Sequence, residues 1–246
     1  MKKLYFISLT FFLLISCNSN ELQQEETVKR ELPNIIMLVG DDQGYPYFGF
    51  MGADYIHTPN MDSLAANGIL FTDGYVSDNH CRPSLQTLLT SILPIDFNKR
   101  VFAMMDEEIE KRNITEGSRK NFKEYYDRRA LGFSKFNTLP KMLTEKGYVS
   151  FQGGKWWEFD CQNGGFTHGM TKGWTEAEQK TQGWFIKHMG GEGMDLARVT
   201  NQPAYDFLEE TKGKPFFMWF APCLPYYPFN EPEQFYILYQ DKDMSE

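Results

Sequence analysis

Two adjacent carboxylates, Asp41 and Asp42, follow the apolar run 34–39 and Gly40. Such neighbours repel each other unless a cation or positive side chains neutralise them, and hard divalent ions prefer oxygen ligands of this kind. The pair therefore indicates a site for Ca²⁺, with Mg²⁺ as the alternative ion. A turn at a strand end combined with a helix cap would explain the same two residues without a metal.

Cys81 is the second candidate for chemistry. It is followed by Arg82-Pro83-Ser84 and then by leucine and isoleucine residues at helical spacing up to residue 92, which predicts that Cys81 lies at a helix N-terminus. Backbone N–H groups and the helix dipole favour negative charge there, so a thiolate, an oxyanion or a bound anion would be stabilised. The alternative is a small buried apolar side chain that precedes a helix.

The elements that must position these residues alternate between strand and helix patterns. Apolar runs typical of buried strands occupy 34–39 and 215–220, and shorter strand patterns occupy 69–72 and 148–151. Helical patterns occupy 58–68, 84–92, 138–143 and a segment that ends at 206–208. The predicted fold class is α/β, with a mostly parallel central sheet flanked by helices.

Polar residues follow three of the predicted strands. They are the Asp41-Asp42 pair, Lys155 and a proline-rich loop that begins at Ala221. Because ligands of open α/β sheets bind at the carboxyl ends of the strands, these segments are expected to meet in one site.

Residues 96–137 depart from this alternation because they are dense in charges of both signs. They predict an exposed helical insertion in the 32–246 domain. A solvated face without function explains it more simply than a role at the rim of a substrate cleft.

Charge and cysteine content limit the function. The formal net charge of −8 argues against a nucleic-acid partner, because phosphate binding needs a basic face. Besides Cys17, the chain has Cys81, Cys161 and Cys223. Either Cys161 and Cys223 form a disulfide, which leaves Cys81 single, or all three are free thiols.

The N-terminus has the pattern of an export signal. Lys2 and Lys3 precede an apolar run that ends in Leu14-Ile15-Ser16-Cys17, which resembles a bacterial lipobox. Residues 1–16 are therefore predicted to be a lipoprotein signal peptide, Cys17 the lipidated residue and 17–31 a tether. The protein is expected to be exported and lipid-anchored to the membrane, in the periplasm or at the cell surface. An ordinary signal peptide is the alternative.

Several linked motifs resemble the formylglycine-dependent sulfatases of the alkaline phosphatase superfamily. The similar segments are 33–44, ending in Asp41-Asp42-Gln43-Gly44; 57–72, beginning His57-Thr58-Pro59-Asn60; Cys81-Arg82-Pro83-Ser84; Gly147-Tyr148; Gly154-Lys155-Trp156; and 215–232. Their order and spacing agree with the family, and they extend over nearly the whole chain after the tether.

The resemblance implies roles for four residues. Cys81 matches the cysteine that a maturation enzyme oxidises to formylglycine, whose hydrate attacks the sulfur of a sulfate ester. Asp41 and Asp42 match paired ligands of a Ca²⁺ ion, which also binds the group derived from Cys81. Lys155 matches a lysine that holds the sulfate. The implied substrate is a sulfated small molecule or glycan.

The chain also departs from the family pattern. Leu85 stands where an arginine is expected, and Trp157 and Tyr226 stand where histidines are expected. His168 could return an imidazole to the site as a catalytic residue, although a locally hydrogen-bonded loop histidine is the simpler interpretation. Relatives continue beyond the position of Glu246 with further cation ligands and a second lysine, so the α/β domain is expected to lack its C-terminal part.

Three functions are compatible with these patterns. The leading one is sulfate-ester hydrolysis outside the cytoplasm through a cation-bound formylglycine at position 81. A phosphate or phosphonate esterase of the same superfamily is the second, because it would share the cation and anion sites. A catalytically inactive, sulfatase-like binding lipoprotein is the third, in view of Leu85, Trp157 and Tyr226.

Overall fold

The computed structural model describes residues 32–111, 129–173, 188–227, 229 and 232–242. The predicted signal peptide, Cys17 and the tether lie outside these ranges. Within them, no helix combines the length and the apolarity that crossing a bilayer requires. The compact α/β unit comprises Pro33–Glu246.

Four parallel strands form the sheet among the described residues, in the order β1-β4-β2-β3. Their bounds are β1 Ile35–Leu38, β2 Val149–Gly154, β3 His168–Gly169 and β4 Phe216–Ala221. The helices are α1 Pro59–Asn67, α2 Cys81–Thr90, α3 Pro94–Lys111, α4 Leu139–Thr144, α5 Gln202–Glu210 and α6 Glu233–Tyr236. Four 3₁₀ segments connect them at Gly49–Met51, Cys161–Gly164, Gly191–Asp195 and Ile237–Tyr239. The predicted α/β class with a parallel sheet is confirmed.

The central strand β4 separates two hydrophobic clusters because its side chains alternate between the faces of the sheet. Phe217 and Trp219 pack in one cluster with residues of α2, α3 and α4. Met218 packs in the other cluster with Phe207 of α5 and Phe151 of β2. Helices therefore pack against both faces of β4.

Strand β1 is not buried on both faces, contrary to the sequence prediction. It pairs only with β4 among the described residues, and Ile36 and Leu38 are 60% and 51% exposed. The reason is that α5 packs against β2 and leaves this face of β1 uncovered in the described part of the chain. The predicted strand at 69–72 is also wrong, because this segment has no ladder partner and is exposed.

The charged segment 96–137 is helical in its first part, as predicted, since α3 extends to Lys111. The expectation that it is exposed is wrong at both ends. Phe97 and Val101 of α3 are buried, and Phe133 and Phe136 stack around Phe97. Buried aromatic and aliphatic side chains thus anchor both ends of a segment that is otherwise rich in charged residues. Residues 112–128 lie outside the described ranges.

Candidate active site

A cavity of about 460 Å³ lies at the carboxyl ends of β1, β2 and β4. The segment after β1, Lys155 after β2, and Ala221 and Pro222 at the end of β4 all line it. The fourth wall is the start of α2, with Cys81, Ser84 and Leu85. The carboxyl ends of parallel strands share one edge of the sheet, so the three segments that follow β1, β2 and β4 meet there. The start of α2 closes the cavity beside them.

Asp41 and Lys155 form a buried ion pair inside this cavity. The distance from Lys155 Nζ to Asp41 Oδ2 is 2.6 Å, and the side chains are 2% and 9% exposed. The Cys223 thiol donates a further hydrogen bond of 3.1 Å to the same oxygen. The backbone N–H of Asp41 donates to the Leu224 carbonyl, which fixes the carboxylate to the loop after β4.

Lys155 is enclosed by aromatic rings as well as by Asp41. Its Nζ lies 4.1 Å from the centroid of the Tyr226 ring and 5.8 Å from that of Trp157. Burial opposes the charge, but the hydrogen bond and charge of Asp41 outweigh it, so the pKa of Lys155 is raised above its usual value. The two residues that replace the expected histidines thus form cation–π contacts with the lysine.

Cys81 is the first residue of α2. The N-cap residue of this helix, His80, makes no side-chain capping hydrogen bond. The Cys81 side chain is half-buried and packs beside Leu85 against a buried cluster that contains Trp157, Met194 and Cys223. Cys81 lines the same cavity as Asp41 and Lys155. The predicted helix N-terminal position of Cys81 is therefore found in the structure.

The oxygen ligands that line the cavity are of the type that a hard cation prefers, but the described residues offer too few of them. Asp41 and Asp42 both line the cavity and offer carboxylate oxygens, with the Gln43 amide beside them. Asp42 is exposed and adopts a left-handed backbone with φ of 58°, whereas Asp41 is buried. Among the described residues, no three His, Cys, Asp or Glu side chains come close enough to hold a metal ion. The described residues thus supply only part of a ligand set.

His168 does not lie in this cavity. It belongs to β3, in register with Phe151, and lines a separate cleft. Its Nδ1 is 2.8 Å from the Thr167 hydroxyl and its Nε2 is 3.5 Å from Glu210. The local interpretation of this histidine agrees with these contacts, and its partner in register, Phe151, lies four residues before Lys155.

Three groups around the site have partners that sequence reasoning did not foresee. Arg82 binds Glu158 through two hydrogen bonds, and Gln86 donates to the same carboxylate. Cys223 binds Asp41 across 182 positions of sequence. His188, from a segment without periodicity, stacks edge-on against Trp157 at 6.1 Å. The sequence carries no local signal for any of these pairings.

His188 predicts a pH dependence of stability. Burial, aided by the charge of Arg82, lowers its pKa to about 4. In the unfolded chain it titrates near its ordinary value, so between about pH 6.5 and 4 only the unfolded state binds the proton. Stability therefore falls as the pH falls through this window, by up to about 3 kcal/mol.

The measurement is chemical denaturation of His188→Gln and the parent protein at pH 7, 5.5 and 4.5. The variant is expected to lose less stability on acidification. Exposed His57→Gln is the matched control, because it leaves the contribution of His188 in place. If His188→Gln and the parent lost the same free energy of unfolding between pH 7 and 4.5, the lowered pKa of His188 would be contradicted.

The cysteines differ in environment, and none of the three described thiols is paired. Burial raises the pKa of Cys161 to about 11, and burial together with Asp41 raises that of Cys223 to about 12. Free thiols, rather than a Cys161–Cys223 disulfide, are therefore the alternative found in the structure.

Native-state alkylation with iodoacetamide at pH 8 is expected to modify Cys81 among these three, with Cys161 and Cys223 at least about 100-fold slower. Peptide mass spectrometry against time gives the rates, and denatured protein supplies the reference in which all three react. Modification of Cys223 as fast as Cys81 would contradict the buried environment described above.

Comparison with known proteins identifies the family of the chain. The sequence model of the sulfatase family matches residues 33–245. The chain belongs to the sulfatase family. The resemblance drawn from the motifs is thereby confirmed.

Individual sulfatases match in part. The chain is 33% identical over 126 residues to N-acetylgalactosamine-6-sulfatase of the dog, which covers 50% of the chain and 21% of that protein. It is 48% identical over 63 residues to human arylsulfatase A, covering 26% of the chain and 12% of that protein. The crystal structure of Ps i-CgsB superposes with a TM-score of 0.58 at 23% identity, over 86% of the chain and 49% of the other. The chain thus spans at most about half of these relatives, and the structural match establishes the fold.

Proposed function

We propose that this sulfatase-family chain takes part in hydrolysis of a sulfate ester, with residue 81 as the nucleophile. The observation that carries the proposal is the single cavity in which Cys81, Asp41 and Lys155 meet. Family membership supports the reaction class. The proposed site excludes His168, because that ring lies in another cleft.

Oxidation of Cys81 to formylglycine would supply a hydrated aldehyde oxygen that attacks sulfur, and a Ca²⁺ or Mg²⁺ ion would supply positive charge beside it. Asp41 and Asp42 are the residues proposed to contribute to that ion's ligands. The attack would form a bond between the hydrate oxygen and sulfur and break the bond between sulfur and the alcohol oxygen, so that the alcohol leaves with a proton. Sulfate would then leave when the bond between its oxygen and the carbon of residue 81 breaks and the aldehyde re-forms, and water would restore the hydrate. A formylglycine-generating or equivalent enzyme is the proposed maturation partner.

Lys155 is proposed to bind the sulfate group. Its ammonium has three N–H donors, one of which is directed at Asp41, so the others can face sulfate oxygens in the cavity. The N-terminal N–H groups of α2 add partial positive charge on the opposite wall. Asp41 holds the ammonium in place, which reduces the motion that must be lost when substrate binds.

The proposed substrate is a sulfated small molecule or glycan outside the cytoplasm. The relative named N-acetylgalactosamine-6-sulfatase acts, by its name, on a sulfated sugar. Export and lipid anchoring through Cys17 remain part of the proposal. A lipid-anchored protein would meet such substrates at the membrane surface.

The deciding experiment compares paired aryl sulfate and aryl phosphate esters with the same alcohol, after co-expression with a maturation enzyme. The proposal expects sulfate release and an aldehyde at position 81 in the peptide mass spectrum. Faster phosphate release would instead favour the phosphate or phosphonate esterase.

A binding protein without turnover is favoured by one observation. Leu85 replaces the expected arginine and packs against two hydrophobic clusters, so no guanidinium reaches Cys81 from that position. Sulfated-glycan binding without release of sulfate, together with an unmodified thiol at Cys81, would support this second function.

A further inference from the structure

Arg82, Gln86 and Glu158 form a buried polar cluster behind the cavity wall, which we call the α2 clamp. Arg82 Nε and Nη2 donate to the two Glu158 oxygens at 3.0 and 2.8 Å, and Gln86 Nε2 donates to one of them at 2.8 Å. The Arg82 and Glu158 side chains are only 8% and 3% exposed. The clamp is therefore isolated from solvent and has a defined geometry.

The clamp joins the two chain segments that carry the proposed chemistry. Arg82 is the residue after Cys81 on α2, and Glu158 lies three positions after Lys155. Gln86 is one helical turn beyond Arg82, so both side chains leave the same face of the helix. Any shift of the start of α2 relative to the segment after β2 must break or bend these hydrogen bonds.

Further hydrogen bonds fix the segment from Lys155 to Glu158. The Lys155 N–H donates to the Ala221 carbonyl at 2.7 Å, and Asn163 Nδ2 donates to the Glu158 carbonyl at 2.8 Å. The segment is thus tied to β4 and to the following 3₁₀ helix. On the α2 side, by contrast, the N-cap residue His80 makes no side-chain capping bond.

A contribution to the stability of the fold does not by itself explain the buried ion pair of the clamp. A buried ion pair loses about as much through desolvation as it gains through attraction, so apolar replacement of the whole pair is often neutral. Two parallel hydrogen bonds between a guanidinium and a carboxylate do, however, fix the relative position of the two side chains. We infer that the α2 clamp is a positioning element that sets residue 81 against Lys155.

The test uses three variants. Glu158→Gln leaves the Arg82 charge without its carboxylate, whereas R82M/Q86M/E158M replaces the whole clamp by apolar side chains. Thr138→Val is the matched control, because it removes a buried hydrogen bond to the Gly164 carbonyl outside the cavity lining.

The triple variant is expected to keep its thermal midpoint within about 5 °C, while Glu158→Gln loses roughly 10 °C. In the triple variant, kcat for an aryl sulfate should fall at least about tenfold with KM changed less than about threefold. Alkylation of Cys81 in the unconverted protein should become at least about threefold faster, because the helix start is less fixed. Thr138→Val should lower the midpoint and leave kcat and the Cys81 rate unchanged.

The kinetic part of this inference rests on the proposed function, and the alkylation part does not. A wild-type protein without turnover would remove the proposed function, and the clamp would then be judged by the alkylation rate alone. Unchanged kcat and unchanged Cys81 reactivity in the folded triple variant would overturn the inference. The same losses in Thr138→Val would overturn it too, since they would follow stability rather than position.

Discussion

Cys81→Ala is expected to lower kcat for sulfate release by at least about 10⁴-fold while leaving the fold intact. The residue is half-buried at the first position of α2, and alanine fits the same space and favours a helix. Only the group that is proposed to become the nucleophile is removed. The measurement is steady-state sulfate release, with circular dichroism to confirm an unchanged fold.

Cys161→Ala is the matched control for this loss. Cys161 is a buried free thiol in the cluster around Trp156 and does not line the cavity. Its replacement should cost some stability through a small void and leave kcat within about threefold. Turnover that survives in Cys81→Ala would show that residue 81 is not the nucleophile.

Asp41→Asn is expected to lower the free energy of unfolding by about 3–5 kcal/mol and to remove turnover. The amide cannot neutralise Lys155, which is 2% exposed and has its ammonium 2.6 Å from the carboxylate. An unpaired charge in that position must either stay desolvated or lose its proton. Urea denaturation with a linear extrapolation measures the change.

Two further variants separate the ion pair from the rest of the site. Asp41→Asn combined with Lys155→Met removes both charges, so it should regain most of the lost stability and remain inactive. Asp42→Asn should change stability by less than about 0.5 kcal/mol, because the side chain is exposed and asparagine tolerates its left-handed backbone. A single Asp41→Asn variant as stable as the parent would contradict the buried pair.

Much of the site was predictable because it depends on local patterns and one rule of topology. The strands that precede Asp41 and Pro222 are continuous apolar runs, and all three strands that lead to the cavity are bounded by Gly or Pro. Parallel pairing of β1, β4 and β2 then brings their ends together at one edge. Cys81 was placed at the start of α2 by the leucine spacing and the following proline.

The remaining features depend on contacts between distant residues. No local pattern links Arg82 to Glu158, and only the fold brings this residue, 76 positions away, within hydrogen-bond distance. His168 follows glycine-rich sequence typical of a loop, yet it pairs with β2 in a strand of two residues, which is too short to leave a period. Exposure of Ile36 depends on which helix covers β1, and an apolar run cannot specify that.

The proposed function requires that Cys81 and Lys155 face one anion site. The rate of Cys81 alkylation by neutral iodoacetamide, measured with and without inorganic sulfate at constant ionic strength, tests it without requiring turnover. Sulfate is predicted to slow the reaction in the parent protein and to have no effect in Lys155→Met. An equal rate with and without sulfate in the parent protein, or protection that persists in Lys155→Met, would contradict the shared site.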